Sequence, residues 1–217
     1  MMLISIDGAC KRNGEPTCVS TGAAWIQTEA GEFLYKCKFE HASTSQRGEL
    51  NGLTEALEYA VANAAPDEDV IIVTDSEYLF NSVTLEWSMK WERQSWCGAT
   101  GPVKNADMWE HINELLRALG DRVYMQWTKG HLVSYTPGNI KKAMQEDPTG
   151  VELFVRINSV ANRPMDRDRI IKLFKEKRVS HGHIAPPDDT ALDWAVANAM
   201  ADALASYLVK TFDDVLV

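Results

Sequence analysis

Val70-Ile71-Ile72-Val73-Thr74-Asp75 is the stretch on which the fold turns. Four apolar β-branched residues in a row, with no polar residue between them, predict a strand covered on both faces by helices; a strand with one wet face alternates. Pro66-Asp67 breaks the chain before this run, and the residues after Asp75 continue as a helix to about Trp91. Asp75 therefore stands at the carboxyl edge of a covered strand, where α/β proteins place their ligands.

Upstream, residues 3–7, 21–28 and 32–39 read as three strands, with Glu29-Ala30-Gly31 as the turn between the second and third. Residues 43–63 form a helix. Leu50, Leu53, Leu57, Ala60 and Val61 recur at three- and four-residue spacing, and Ser43 with Gln46 makes a capping box. Downstream come a loop over 95–103, a helix over 106–119, a fifth strand over 122–128, and a last helix over 190–211. That last helix carries Leu192, Ala195, Val196, Ala199, Ala203, Tyr207 and Leu208 on one face. The order predicts an α/β fold: a mixed five-stranded sheet, part antiparallel meander and part parallel strands, flanked by helices.

Residues 132–187 are long for a loop and are expected to carry structure of their own, a strand over 151–155 and a basic helix over 166–179. The chain thus reads as one domain over 1–217, with 132–187 inserted between the fifth strand and the last helix. The insertion holds ten Lys/Arg against six Asp/Glu, in a chain whose net charge is −9. The overall charge argues against a nucleic-acid binder. A local patch escapes that objection, and a carboxylate site draws anionic substrate through bound cations. No apolar run approaches the ~20 residues of a membrane span, and Met1–Ile6 lacks the form of a signal peptide. Cys10, Cys18, Cys37 and Cys97 show no CxxC pair, which fits free thiols in a reducing compartment. The expectation is a cytoplasmic monomer without membrane contact.

Asp7 ends the first strand, and Gly8 lets the chain turn away; Glu49 lies in the first turns of the long helix, beside apolar Leu50. If the first and fourth strands are neighbours, Asp7 and Asp75 emerge at one edge. Each acid alone has a plain alternative. Asp75 would serve as a helix cap, Glu49 as a first-turn acid favoured by the helix dipole, Asp7 as a turn residue, and Asp202 as a solvated acid on an amphipathic helix. Several acids converging would repel unless cations neutralised them, and oxygen donors suit Mg²⁺ or Mn²⁺.

Ile6-Asp7-Gly8-Ala9-Cys10, Arg47-Gly48-Glu49-Leu50 and Thr74-Asp75-Ser76-Glu77-Tyr78 resemble the three successive acidic motifs of type 1 ribonucleases H. Trp87…Trp91…Trp96, residues 102–109 and Trp127-Thr128-Lys129-Gly130-His131 resemble the later blocks of the bacterial enzymes. Asn198-Ala199-Met200-Ala201-Asp202-Ala203-Leu204-Ala205 resembles their closing helix. The resemblance implies an endonuclease acting on the RNA strand of an RNA–DNA hybrid, leaving 5′-phosphate and 3′-hydroxyl ends. Asp7, Glu49, Asp75 and Asp202 would hold two Mg²⁺ ions, with Mn²⁺ as a substitute. His131 would be a mobile proton shuttle; a plain surface histidine, or His181 or His183 in that role, are the alternatives.

The resemblance also implies substrate contacts at Asn13, Thr44, Ser45, Gln46, Glu77 and Asn198. Ser45-Gln46 replaces the Asn-Asn common in the bacterial enzymes, Glu77 replaces Gln, and Ala199 replaces Glu. Their strongly basic handle is reduced here to Lys90, Arg93 and Lys104, offset by Glu92 and Asp107. Core packing is enough to explain Trp87 and Trp91. The basic helix of the insertion is expected to supply the missing phosphate contacts, the alternative being a subdomain that only packs. A DNA-cutting relative of the same fold and a catalytically silent binding module are the competing functions.

Overall fold

The computed structural model of the chain describes residues 1–28, 30, 31, 33–128, 130 and 188–215. The expected insertion over 132–187, with its strand and basic helix, and the three histidines at 131, 181 and 183 lie outside the described residues.

A five-stranded sheet forms from β1 (Met2–Lys11), β2 (Val19–Gln27), β3 (Phe33–His41), β4 (Val70–Thr74) and β7 (Val123–Trp127), in the order β3-β2-β1-β4-β7. β1, β2 and β3 are an antiparallel meander, while β4 and β7 run parallel to β1. β5 (Cys97–Gly98) and β6 (Gly101–Pro102) make a small separate ribbon. The mixed sheet is as expected, including the neighbouring of β1 and β4.

Helices cover both faces. On one lie α1 (Ser45–Asn63), α2 (Glu77–Thr84) and α4 (Ala106–Leu119), where Leu50, Leu53, Leu57, Phe80, Trp109 and Ile112 bury against Ile4, Ile6 and Ile72. On the other, α5 (Asp188–Val215) lays Trp194, Val196, Met200 and Leu204 on Leu3, Ala23, Trp25 and Val73. β4 sends Val70 and Ile72 to one core and Ile71 and Val73 to the other. Alternation with period two does this, and it explains the unbroken apolar run. Each large apolar side chain so buried contributes about 1.5–3 kcal/mol.

Several local expectations are corrected. β1 does not end at Asp7 but runs on to Lys11, with Gly8 paired to Gly22 in the ladder. The α1 cap is Thr44, whose hydroxyl accepts from the Arg47 amide at 3.2 Å. The Ser43 hydroxyl bonds Glu40 and Ser20 instead, so no Ser43–Gln46 capping box forms. Val61 is exposed, on the wet side of α1, and Tyr207 and Leu208 are only half-buried. The helix expected through Trp91 is two, α2 and α3 (Trp87–Arg93), because Glu86 turns left-handed (φ 52°) between them. That turn leaves Trp87 38% exposed rather than in the core, while Trp91 packs partly buried against Trp109. No helix among the described residues is long and apolar enough to cross a membrane.

Candidate functional site

The parallel register that sets Ser5 beside Val73 carries Asp7, two residues on, level with Asp75 just past the end of β4. Asp7 shares the alternation of Leu3 and points to the α5 side, whereas Gly8 points to α1. A Cβ on Gly8 would meet the Gly48–Glu49 backbone at 2.3–2.8 Å, and one on Gly22 would meet Gly52 N at 2.1 Å. Glycines on β1 and β2 thus let α1 lie directly on the sheet, and its second turn delivers Glu49 to the acids of β1 and β4. Gly8 serves close approach, not the turn expected of it.

Oxygen atoms of Asp7, Glu49 and Asp75 lie within 4.8 Å of one another. The alternative role for Asp75 falls away, because Ser76 caps α2 by accepting from the Leu79 amide. Ser76 also hydrogen-bonds Glu49, a part the sequence reading missed, although a Ser following an acid at a helix start signals it. Asp202, from α5, is buried near Asp7 and accepts from Ser206 Oγ at 3.3 Å.

The electrostatics follow from this crowding. Burial, then the negative charges of Asp75, Glu49 and Asp202, hold the Asp7 carboxyl well above its ordinary range, against a 2.7 Å bond donated by the Gly8 amide. Burial and Asp75 push Glu49 up to about 8, with the Ser76 bond opposing. One Glu49 oxygen, Oε2, is buried with no hydrogen-bond partner. Clustered acids that raise one another, a buried carboxylate oxygen lacking a donor, and an all-oxygen ligand set fit a hard divalent cation.

Gly130 closes the far side. A Cβ there would stand 2.2 Å from Asp75 Oδ2, so any side chain at this position would displace that carboxylate. Trp127 Nε1 donates to the Asp75 carbonyl at 3.1 Å and fixes the approach. The expected shuttle His131 is next in sequence and lies outside the described residues.

The expected substrate contacts divide. Asn13 and Ser45 meet at the start of α1, the helix that carries Glu49: Asn13 Nδ2 donates to Ser45 Oγ at 3.3 Å, and Ser45 N donates to Asn13 Oδ1 at 3.2 Å. Thr44 and Gln46 are exposed at the same helix start. Glu77 is exposed on the first turn of α2. Asn198, one turn before Asp202, is buried, with Nδ2 lacking a partner.

At the reduced handle the two offsetting acids are engaged elsewhere, Glu92 by Arg117 at 2.8 Å and Asp107 by Arg47 at 3.1 Å. Trp87, Trp91, Lys90, Gln94 and Cys97 line an open groove of about 530 Å³ there.

A family model for RNase H matches residues 1–143. The match takes in Asp7, Glu49 and Asp75 and stops before Asp202. The chain is 34% identical to a ribonuclease H of Albidiferax ferrireducens over 154 residues, which covers 70% of this chain and 95% of that one. In three dimensions it is similar to LC9-RNase H1, a type 1 RNase H (TM-score 0.50, 22% identity, 70% of this chain and 72% of that one). It is also similar to a foamy viral protease-reverse transcriptase in complex with RNA/DNA hybrid (TM-score 0.51, 18% identity, 59% of this chain and 17% of that longer one). The family match, taken with a site of converging acids on this fold, shows that the chain belongs to the ribonuclease H family and is a hydrolytic endonuclease of that class.

Proposed function

We propose that this chain hydrolyses the RNA strand of RNA–DNA hybrids, leaving 5′-phosphate and 3′-hydroxyl ends, and that Asp7, Glu49, Asp75 and Asp202 hold two Mg²⁺ ions for the purpose, Mn²⁺ substituting. The convergence of three carboxylates within 4.8 Å carries the reading, and the burial of Asp202 beside Asp7 supports the fourth ligand. When bound, the ions would activate the attacking water and stabilise charge on the scissile phosphate and leaving oxygen.

The chain's own residues handle the rest. Asn13, Thr44, Ser45 and Gln46 offer amide and hydroxyl groups at the start of α1, suited to the 2′-hydroxyls that distinguish RNA from DNA. Glu77 can only accept there, so it would take a hydroxyl hydrogen and not approach a phosphate. Asn198, buried one helical turn before Asp202, would orient that acid through the amide that lacks a protein partner. His131 would carry the proton to the leaving oxygen, and its neighbour Gly130 lies against Asp75, which supports that place. The exposed Trp87 with Lys90 suits the sugar–phosphate backbone of the DNA strand. A monomeric, cytoplasmic enzyme is part of this proposal.

The deciding assay offers labelled RNA–DNA hybrid, duplex DNA and duplex RNA with Mg²⁺, beside Asp75→Asn. Hybrid cleavage in the RNA strand alone, absent in the variant, is expected. Cleavage of duplex DNA would favour a DNA-cutting relative, and no cleavage at all would favour a binding module.

A further inference from the structure

Beyond the acids, the end of β1 and the start of β2 bring two thiols into contact. Cys10 Sγ and Cys18 Sγ lie 2.8 Å apart, both as free cysteines. The ladder pairs Cys10 with Ser20 and Lys11 with Val19, so the two cysteines stand at the neck of the loop 12–17. Cys18 is fully buried and Cys10 half-buried. A disulfide needs its sulfurs about 2.05 Å apart. The pair is therefore within roughly 1 Å of bonding distance, a gap that small side-chain rotations close while the ladder stays in place.

We propose that Cys10 and Cys18 are a reversible redox pair, oxidised by a low-molecular-weight disulfide such as glutathione disulfide to an intramolecular disulfide that closes the loop 12–17. Cys10, the accessible sulfur, attacks the small disulfide as thiolate, breaks its S–S bond and releases one small thiol. Cys18 then attacks the Cys10 sulfur of the mixed disulfide and releases the second. Two electrons pass from the cysteine pair to the small disulfide, and the two cysteine protons end on the two released thiols. Burial and the bond with Cys18 push the Cys10 thiol up to about 12. The exchange is therefore slow at neutral pH and quickens about tenfold per pH unit.

The loop concerned carries Asn13, whose amide bonds Ser45 at both ends. It also holds two left-handed residues, Arg12 (φ 60°) and Gly14 (φ 86°). Closing its neck removes freedom from the unfolded chain and ties the Asn13 loop to the sheet.

The test uses the full chain in a Cys37→Ser/Cys97→Ser background, so that only the pair carries thiols. After incubation with glutathione disulfide at pH 8.5, the titratable thiols should fall from two to none. Mass mapping should recover Cys10 and Cys18 as one cross-linked peptide pair, and Tm should rise by about 5 °C, all reversed by dithiothreitol. Cys10→Ser should keep its Cys18 thiol and show no rise. Two thiols surviving in the parent, or glutathione lodged on Cys10 without the cross-link, would overturn the proposal.

Discussion

Gly8 and Glu49 touch backbone to backbone: a Cβ placed on the strand residue would stand 2.3 Å from the helix residue's amide nitrogen. A backbone contact cannot be relieved by rotating a side chain, so any substitution must move α1 off the sheet. The Glu49 carboxylate would move with it, away from Asp7 and Asp75.

Gly8→Ala is accordingly expected to cost stability and catalysis together. Overpacking of this kind costs about 1–3 kcal/mol, to be read from urea denaturation, and the widened ligand set should weaken Mg²⁺ binding at least tenfold. Mg²⁺ titration and hybrid cleavage check the second effect. A variant as active as the parent would mean that Glu49 reaches the site by some route other than this contact.

Gly130→Ala should separate the two effects. The added Cβ meets Asp75 Oδ2, the far end of a side chain and not backbone, and the Gly130 backbone is not in the left-handed region, so alanine is tolerated by the fold. The Asp75 carboxylate must swing away. Tm is expected within about 2 °C of the parent and turnover lower by about 10–100-fold. A large fall in Tm with turnover intact would reverse this assignment.

The fold was legible because β4 spells it out. Val70–Val73 must be covered twice, and only helices on both faces of a sheet do that. The convergence of Asp7, Glu49 and Asp75 was legible from the family motifs around them and, for Asp75 and Glu49, from strand end and helix start; Asp7 instead sits inside β1, which runs on to Lys11. The backbone contacts were not. Gly8 looks the same in sequence whether it turns a chain or admits a helix, and only its neighbours in space, Gly48 and Glu49, decide between the two. The break between α2 and α3 was hidden for a similar reason: Glu86, a good helix former, adopts φ 52° under tertiary constraint. The cap moved from Ser43 to Thr44 because Glu40 and Ser20 claim the Ser43 hydroxyl.

The acid cluster predicts a pH dependence with a definite sign. Asp7 and Glu49 hold protons more tightly folded than unfolded, so the stability they give as neutral groups is complete below their unfolded range, near pH 4. It is lost as pH rises through their folded values, about 8 for Glu49. Glu40, which burial raises but which the bonds with Arg47 and Ser43 together hold below its ordinary value, titrates below this window and does not confuse it. The metal-free chain should lose roughly a few kcal/mol between pH 5 and 8.5. Glu49→Gln should flatten that slope, and added Mg²⁺ should stabilise far more at pH 8.5 than at pH 6, with proton release visible by calorimetry. A metal-free stability that climbs across the window would contradict the arrangement.

At the start of α1, Asn13→Ala removes the amide that spans Ser45 and leaves the acids in place. Loss of one hydroxyl contact is worth about 1 kcal/mol. KM for the hybrid should rise about five- to tenfold while kcat holds. A fall in kcat at unchanged KM would move Asn13 from gripping the substrate to the chemistry itself.

Asp202 differs in kind from the other acids. It reaches the site on α5, at the end of a segment beyond the family match, and it stands outside the trio whose oxygens fall within 4.8 Å. Its carboxylate also accepts from Ser206 on its own helix, so it is held in part independently of any cation. What docks it is the apolar seam of Trp194, Val196, Met200 and Leu204 on the sheet, which an amide in place of the acid leaves intact. Asp202→Asn should therefore fold normally and lose about 10–100-fold in turnover, whereas Asp7→Asn, at the centre of the cluster, should fall to background. Raising Mn²⁺ should recover part of the Asp202→Asn loss and none of the Asp7→Asn loss, because the first variant keeps the close trio of Asp7, Glu49 and Asp75 whole and the second breaks it. Steady-state cleavage of one labelled hybrid across a metal titration measures both variants, and equal, unrecoverable losses would place Asp202 on a par with Asp7.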